Sequence, residues 1–178
     1  MMKNSSRGYT LIELMIAVGL FALIMMLAAG AYLMMIGISR QAQGITSGID
    51  NLAFALETMT RTIRTSTAYS CAATSDAGDC PSGGGDTFSV VGPGGDAISY
   101  WSDGLNIYQT KNGDDVQMTD SSIKNVSLTF YSAGLSSSDT TQARVTIVVS
   151  GEVTSGIDKT KVVPFTIETG ATMRGSDI

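Results

Sequence analysis

One acidic residue, Glu13, stands at the edge of a long uncharged segment. The 25 residues from Leu14 to Ile38 carry no charge. As a helix they would be about 37 Å long, enough to cross a bilayer. A carboxylate beside such a helix costs up to a few kcal/mol on membrane insertion, so it calls for a partner of opposite charge. Glu13 is therefore the first residue that needs a functional explanation.

Two cysteines, Cys71 and Cys80, frame a short polar segment. In an exported domain, a close pair of cysteines with no histidine nearby is typical of a disulfide rather than a metal site. In a cytosolic protein the same residues would be two unpaired thiols. We predict the disulfide, because the apolar segment indicates export.

Few residues in this chain suit metal binding or catalysis. Asp114, Asp115 and Asp120 cluster around a predicted turn and could bind calcium, but their spacing matches no EF-hand loop. We favour a solvated acidic turn and predict no metal site. Histidine is absent, which removes the commonest general base and the commonest metal ligand. We therefore predict neither an enzyme nor a bound cofactor.

The charge of the chain disfavours nucleic acid as a partner. The formal net charge is −5, and from Cys71 onward 13 acidic and 6 basic residues leave −7. An acidic surface repels phosphate backbones. Arg61 and Arg64 could contact anions locally, although the favoured interpretation is that they stabilise the C-terminus of a helix.

The residues before the apolar segment are polar, with Lys3 and Arg7 basic. Such a leader stays in the cytoplasm, so the rest of the chain would lie outside. A secretory signal peptide cut at Ala29-Gly30-Ala31 and a plain signal anchor are the two alternatives. Neither explains Glu13.

The run Gly8-Tyr9-Thr10-Leu11-Ile12-Glu13, followed by the apolar segment, resembles the processing site of type IV prepilins and type II secretion prepseudopilins. The resemblance implies that a prepilin peptidase cleaves after Gly8 and methylates the new amine of Tyr9. That amine would lie four residues before Glu13, whose carboxylate could pair with the amine of a neighbouring subunit. A buried pair adds little stability, but either charge alone is costly, so Glu13 would set the register of assembly.

The same resemblance implies the partners of the chain and its location in the cell. Expected partners are the prepilin peptidase, other pilins or pseudopilins, an inner-membrane assembly platform, and the lipid bilayer before assembly. The precursor would be a single-pass inner-membrane protein that later enters a pilus or pseudopilus.

Apolar residues continue beyond the membrane segment at spacings of four and three, which predicts one helix from about Leu11 to Ser66. They are Ile45, Ile49, Leu52, Leu56, Met59 and Ile63. Glycines lie near one face of this helix, where they would allow close packing between helices or reflect membrane-helix composition. They are Gly30, Gly37, Gly44 and Gly48.

Short alternating runs separated by turn signals predict a β domain after the helix. The predicted strands are Thr87–Val91, Ala97–Trp101, Leu105–Gln109, Ile123–Tyr131, Ala143–Val149 and Lys161–Ile167. Pro164 marks the last strand as an edge or a bulge. The predicted class is α+β and pilin-like, with a long helix packed on an antiparallel sheet. Its divisions are a leader (1–8), an assembly helix (9–38), an amphipathic half (39–68) and a head (69–178).

Looser motifs resemble W-type minor pilins and J-type minor pseudopilins. They are the stretch Leu56 to Arg64, the hairpin Ile98 to Tyr108, and Arg174 near the end. This resemblance implies a minor subunit that primes or caps a filament. The alternative is a filament-tip adhesin or DNA-binding minor pilin. Tyr100, Trp101 and Tyr108 could form an adhesive patch, although cross-strand packing explains them more economically.

Overall fold

The computed structural model describes residues 8–71, 79–135, 142–155 and 158–172, with the side chains of 158–160 left aside. The chain divides into two compact units, Met1–Arg40 and Gln41–Ile178. Lys3, Arg7 and Arg174 lie outside the described residues. The described residues form one helix and eight strands in an α+β arrangement.

The helix α1 runs from Leu11 to Thr65, within one residue of the predicted end. Its residues from Leu14 to Ile38 carry no charge on any side of the helix, and nearly all of them are exposed. From Gly48 onward the helix buries one stripe of small and apolar residues. This change follows the sequence, because polar residues return after Ile38 and confine the apolar ones to one face.

Five strands form an antiparallel meander in the order in which they occur along the chain. They are β1 (Thr67–Cys71), β2 (Phe88–Val91), β3 (Ala97–Ser102), β4 (Ile107–Lys111) and β5 (Asp114–Gln117). Asn112 and Gly113, both with positive φ, form the two-residue turn between β4 and β5. Asn-Gly is a preferred pair in type I′ turns, which need positive φ at both central residues and whose twist matches that of the strands they join.

Three longer strands form a second antiparallel sheet in the order β6-β7-β8. They are β6 (Ile123–Ala133), β7 (Arg144–Ser155) and β8 (Asp158–Thr172). β8 lies at an edge, as Pro164 predicted, because proline cannot donate to a ladder. Gly85 and Phe130 exchange backbone hydrogen bonds of 2.8 and 2.7 Å, which connect the segment before β2 to β6.

The core lies between the second part of α1 and the inner faces of the two sheets. Leu52, Met59 and Ile63 of α1 are fully buried. Phe88 and Phe130 stack with their ring centroids 5.2 Å apart, one ring from each sheet. The alternating residues of the strands complete this core, as the sequence pattern predicted: Val90, Ile98, Tyr100, Ile107, Ile123, Val126, Leu128, Val145, Ile147 and Val149.

The predicted disulfide is present, with the Cα atoms of Cys71 and Cys80 4.9 Å apart. Cys71 belongs to β1, although the sequence placed it in a polar connection. Gly85 lies against this bridge, since a Cβ built there would come within 2.5 Å of the Cys71 sulfur. The disulfide thus connects Cys71, the last residue of β1, to Cys80, which precedes β2.

Two strands were missed by the sequence analysis, and β4 begins two residues later than predicted. β1 begins two residues after the end of α1, and β5 contains Asp114 and Asp115, two of the three aspartates that had been interpreted as a turn. The acidic pair is tolerated in β5 because all four residues of that edge strand are exposed. β4 begins at Ile107 rather than Leu105, because the Asp103 carboxylate binds the amides of Leu105 and Asn106 in a turn.

Candidate functional site

The segment Gly8 to Glu13 contains three residues that precede the helix and the capped start of the helix itself. Gly8, Tyr9 and Thr10 precede α1, whose first residue is Leu11. The Thr10 hydroxyl accepts a hydrogen bond of 3.3 Å from the backbone amide of Glu13. The Thr10 carbonyl accepts the amide of Leu14 at 3.2 Å. Thr10 is therefore the N-cap of the helix, and Glu13 stands at its third position.

Glu13 carries its charge on the surface of this first turn. Its residue is exposed, and no ion pair links it to any residue that the structure describes. A carboxylate is favourable in the first turn of a helix, where the backbone amides carry partial positive charge. Thr10 caps the helix by accepting the backbone amide of Glu13, so the side-chain carboxylate of Glu13 remains available to another group.

The peptide bond between Gly8 and Tyr9 is open to a peptidase. Gly8 has no neighbouring atom within 4 Å of an ideal Cβ position, and Tyr9 is 86% exposed. Because these residues lie outside the helix, no helical hydrogen bond has to break before cleavage.

The helix that follows is long and apolar enough to cross a membrane, with a mean hydropathy of 2.6 over its most apolar window. Side chains such as Phe21, Leu27 and Leu33 are more than half exposed. Surface of this kind requires either lipid or other helices around it.

Residues 3–29 match the family model described as the prokaryotic N-terminal methylation motif. The chain carries that motif. The match includes Gly8, Tyr9 and Glu13 and confirms the resemblance to type IV pilins and pseudopilins; the narrower W-type or J-type assignment stays a prediction. No curated protein and no solved structure matches the chain.

The methylation motif implies processing by a prepilin peptidase and assembly with other pilins. Together with the apolar helix, it indicates a membrane-anchored N-terminus. The architecture agrees, because a long helix packs its later part against antiparallel sheets, as in a pilin.

The glycines of α1 divide into two kinds. A Cβ at Gly48 would lie 2.7 Å from Cγ1 of Val153 and 3.0 Å from the Ser122 hydroxyl, so this glycine allows close approach of α1 to β7. Gly30 and Gly37 have open space around them. Gly48 is therefore a packing residue of the head.

The acidic residues of the head mostly serve local structure. No group of three or more potential ligands that could hold a metal occurs among the residues described. Asp114 and Asp115 lie along β5, while Asp120 is in the turn before β6, where its carboxylate accepts the Ser122 amide at 2.8 Å. Asp96 pairs with Lys111 at 2.9 Å. The hydrogen bond from Lys111, followed by that from Asn112, lowers the pKa of Asp96.

The three aromatic residues considered as an adhesive patch do not share a surface. Tyr100 is completely buried, whereas Trp101 and Tyr108 stack on the other face of the sheet with centroids 4.8 Å apart. The Trp101 indole donates to the Thr110 hydroxyl at 3.0 Å. Cross-strand packing, the favoured interpretation, accounts for Trp101 and Tyr108. The alternative of a three-residue adhesive patch is excluded by the burial of Tyr100.

Proposed function

We propose that this chain is a structural subunit of a type IV pilus or type II secretion pseudopilus. The observation that carries the proposal is the methylation motif set on a capped, exposed and apolar helix. The second unit, which contains the head and the later part of α1, has a core of its own, as an extracytoplasmic domain requires. We assign the chain a structural rather than an enzymatic role.

In this proposal, a prepilin peptidase removes residues 1–8 and methylates the amine of Tyr9. The basic leader remains in the cytoplasm, and residues 69–178 face the outside. The mature helix 9–38 then leaves the lipid and packs among the helices of other subunits on the inner-membrane assembly platform.

Glu13 acts in the assembly step. Among apolar helices, its carboxylate pairs with the terminal amine of a neighbouring Tyr9. A buried pair of charges contributes little net stability, but a single buried charge is strongly unfavourable. Subunits that are out of register leave both charges unpaired, so the pair selects one arrangement.

We further propose that the chain is a minor subunit that primes or caps the filament. This narrower role rests on the similarity of Leu56 to Arg64, and of the hairpin from Ile98 to Tyr108, to W-type and J-type subunits. A count of copies per sheared filament, by quantitative mass spectrometry, should give far fewer copies of this chain than of the major subunit.

The test of the assembly role is Glu13→Leu. Insertion should be normal or slightly better, because leucine suits the bilayer. Cleavage after Gly8 should continue, since the scissile bond is unchanged. Incorporation into filaments should be lost, because the amine of Tyr9 would be buried without a partner.

The measurement compares membrane fractions with sheared filaments from cells that carry each variant. Ile12→Leu is the matched control, because it changes the adjacent residue without removing a charge, and it should assemble normally. Normal incorporation of Glu13→Leu would contradict the role of Glu13 in register. Loss of that variant from the membrane would assign Glu13 to folding or export instead.

A further inference from the structure

One stripe of α1 in the second unit faces away from the core and remains exposed. Phe54, Glu57, Arg61 and Arg64 recur at spacings of three, four and three, so they share one face of the helix. Phe54 is 70% exposed, although the helix turns on either side bury their apolar residues. We call these four residues the outer stripe.

The outer stripe borders a groove of about 540 Å³ at the end of the helix. Its walls are Glu57, Thr60, Arg61, Arg64 and Thr65 of α1, and Thr169 of β8. β8 is the edge strand of its sheet. The groove thus combines two guanidinium groups with the open side of a strand.

The two arginines have no ion-pair partner among the residues that the structure describes. The sequence pairs Glu57 with Arg61 at i and i+4, but they do not approach within 4.0 Å. Phe54 next to two exposed arginines is the composition of a protein-binding surface, in which aromatic residues and arginine are enriched.

Capping of the helix C-terminus does not require these arginines. The Thr62 carbonyl accepts the hydroxyls of Ser66 at 2.7 Å and Thr65 at 3.2 Å. The Ile63 carbonyl accepts the Ser66 amide and the Tyr69 hydroxyl, both at 3.3 Å. Because hydroxyls and an amide satisfy these carbonyls, the guanidinium groups are free to bind another molecule.

We propose that the outer stripe and its groove bind a carboxylate-bearing segment of the adjoining filament subunit, which is a different chain. The inference rests on the proposed function, which places this minor subunit beside other pilins. Carboxylates match the guanidinium fork in charge and geometry. The remainder of the head is acidic, so this groove is where an acidic partner meets attraction rather than repulsion.

Zero-length carbodiimide cross-linking in intact sheared filaments tests the partner directly. The double variant Arg61→Lys with Arg64→Lys retains both charges and supplies amines that couple to carboxylates in contact. Compared with the wild type, whose native lysines give the background, it should yield new cross-links. Mass spectrometry should locate them on Asp or Glu residues of a different subunit.

Charge reversal tests whether the contact matters for assembly. The double variant Arg61→Glu with Arg64→Glu should lower incorporation into filaments by about tenfold or more. A loss of this size corresponds to a modest contribution of the two arginines to the binding free energy of the interface. Phe54→Ala should also lower incorporation. The control is Arg144→Glu, which reverses an exposed arginine on β7 that does not line the groove and should assemble normally.

Wild-type levels of the reversed variant, together with no new cross-links, would overturn the proposal, and so would cross-links confined to a second copy of this chain. Because the lysine variant retains the charge, loss of folding in the reversed variant would not hide the result. If the wild-type chain itself were missing from sheared filaments, the proposed function would fail. If the wild-type chain were present but the groove variants behaved as the wild type, only the proposal for the groove would fail.

Discussion

At the N-terminus of α1, the Thr10 hydroxyl and the Glu13 carboxylate have different roles. The Thr10 hydroxyl accepts the Glu13 amide, so the helix start is satisfied without the glutamate side chain. Glu13 adds a favourable charge to the first turn of an isolated chain. Its larger effect comes in an apolar helix bundle, where an unpaired carboxylate is strongly unfavourable.

Tyr100 is a polar residue within the core of the head. It is fully buried, and its hydroxyl forms hydrogen bonds with Gln109, at 2.9 Å, and with Thr62. Burial raises the pKa of Tyr100 above its ordinary value of 10.0, and the two hydrogen bonds oppose this shift. Folding therefore favours the neutral phenol.

The pH dependence of stability follows from this shift. Because the pKa is higher in the folded protein, the contribution to stability is complete below pH 10 and is lost as pH rises toward the folded pKa. We expect the free energy of unfolding to fall above about pH 10. Tyr100→Phe should lose roughly 1 kcal/mol at neutral pH and show a smaller alkaline decline.

Urea unfolding of the full-length protein in detergent measures both effects, with Trp101, the single tryptophan, as the fluorescent probe. Tyr131→Phe is the control, since Tyr131 is 43% exposed and this variant should decline as the wild type does. Burial raises the pKa of Tyr69 as well, so some alkaline decline should remain in Tyr100→Phe. An unchanged decline in that variant would contradict the assignment.

The helix cap and the placement of the two neighbouring aromatic residues both follow from local sequence rules. Thr10 and Glu13 form the Thr-x-x-Glu pattern of a capping box, which predicts the cap that the structure shows. Tyr100 and Trp101 are adjacent in a strand, so they had to point to opposite faces. This alternation alone disfavours one adhesive patch that includes both residues.

Among the elements, the contact between α1 and β7 depends on Gly48. A methyl group there would lie 2.7 Å from Cγ1 of Val153, closer than packed carbon atoms come. Overpacking of this kind costs about 1 to 3 kcal/mol. Gly48→Ala should therefore destabilise the head by about that amount, although alanine is the better helix former.

The same urea titration compares Gly48→Ala with Gly83→Ala, whose site is open and should leave the midpoint nearly unchanged. Adding Val153→Ala to Gly48→Ala should cost less than the sum of the two single changes, because the smaller side chain makes room. Strict additivity would show that the helix and the strand do not meet at this point.

The elements were predictable where periodicity is strong. The apolar residues of α1 predicted the C-terminus of the helix to within one residue, because they continue at helical spacing until Ile63. β1 was missed because Thr67 follows the helix without a turn signal, and Ala68 at φ 51° turns the chain. β5 was missed because its aspartates resemble a turn, although Asn112 and Gly113 make the turn itself.

At the scale of the whole molecule, the two units meet different physical requirements. In the first unit, Met1–Arg40, the apolar residues that the structure describes are exposed and need lipid or neighbouring helices, whereas the second unit, Gln41–Ile178, buries its own core. The motif of the first unit was predictable because its residues are contiguous in the sequence. The groove of the outer stripe was not, because it requires Thr169 of β8 to lie beside Arg61 of α1.

The N-terminus of the mature protein tests the central claim most directly. Intact-mass analysis of the protein purified from its host membranes, followed by sequencing of the first peptide, gives its position and any modification. We expect residues 1–8 to be missing and one methyl group to be present on the amine of Tyr9. A mature chain that begins at Tyr32 would mean cleavage by a signal peptidase after Ala31. That result would contradict the assignment to a pilus or pseudopilus.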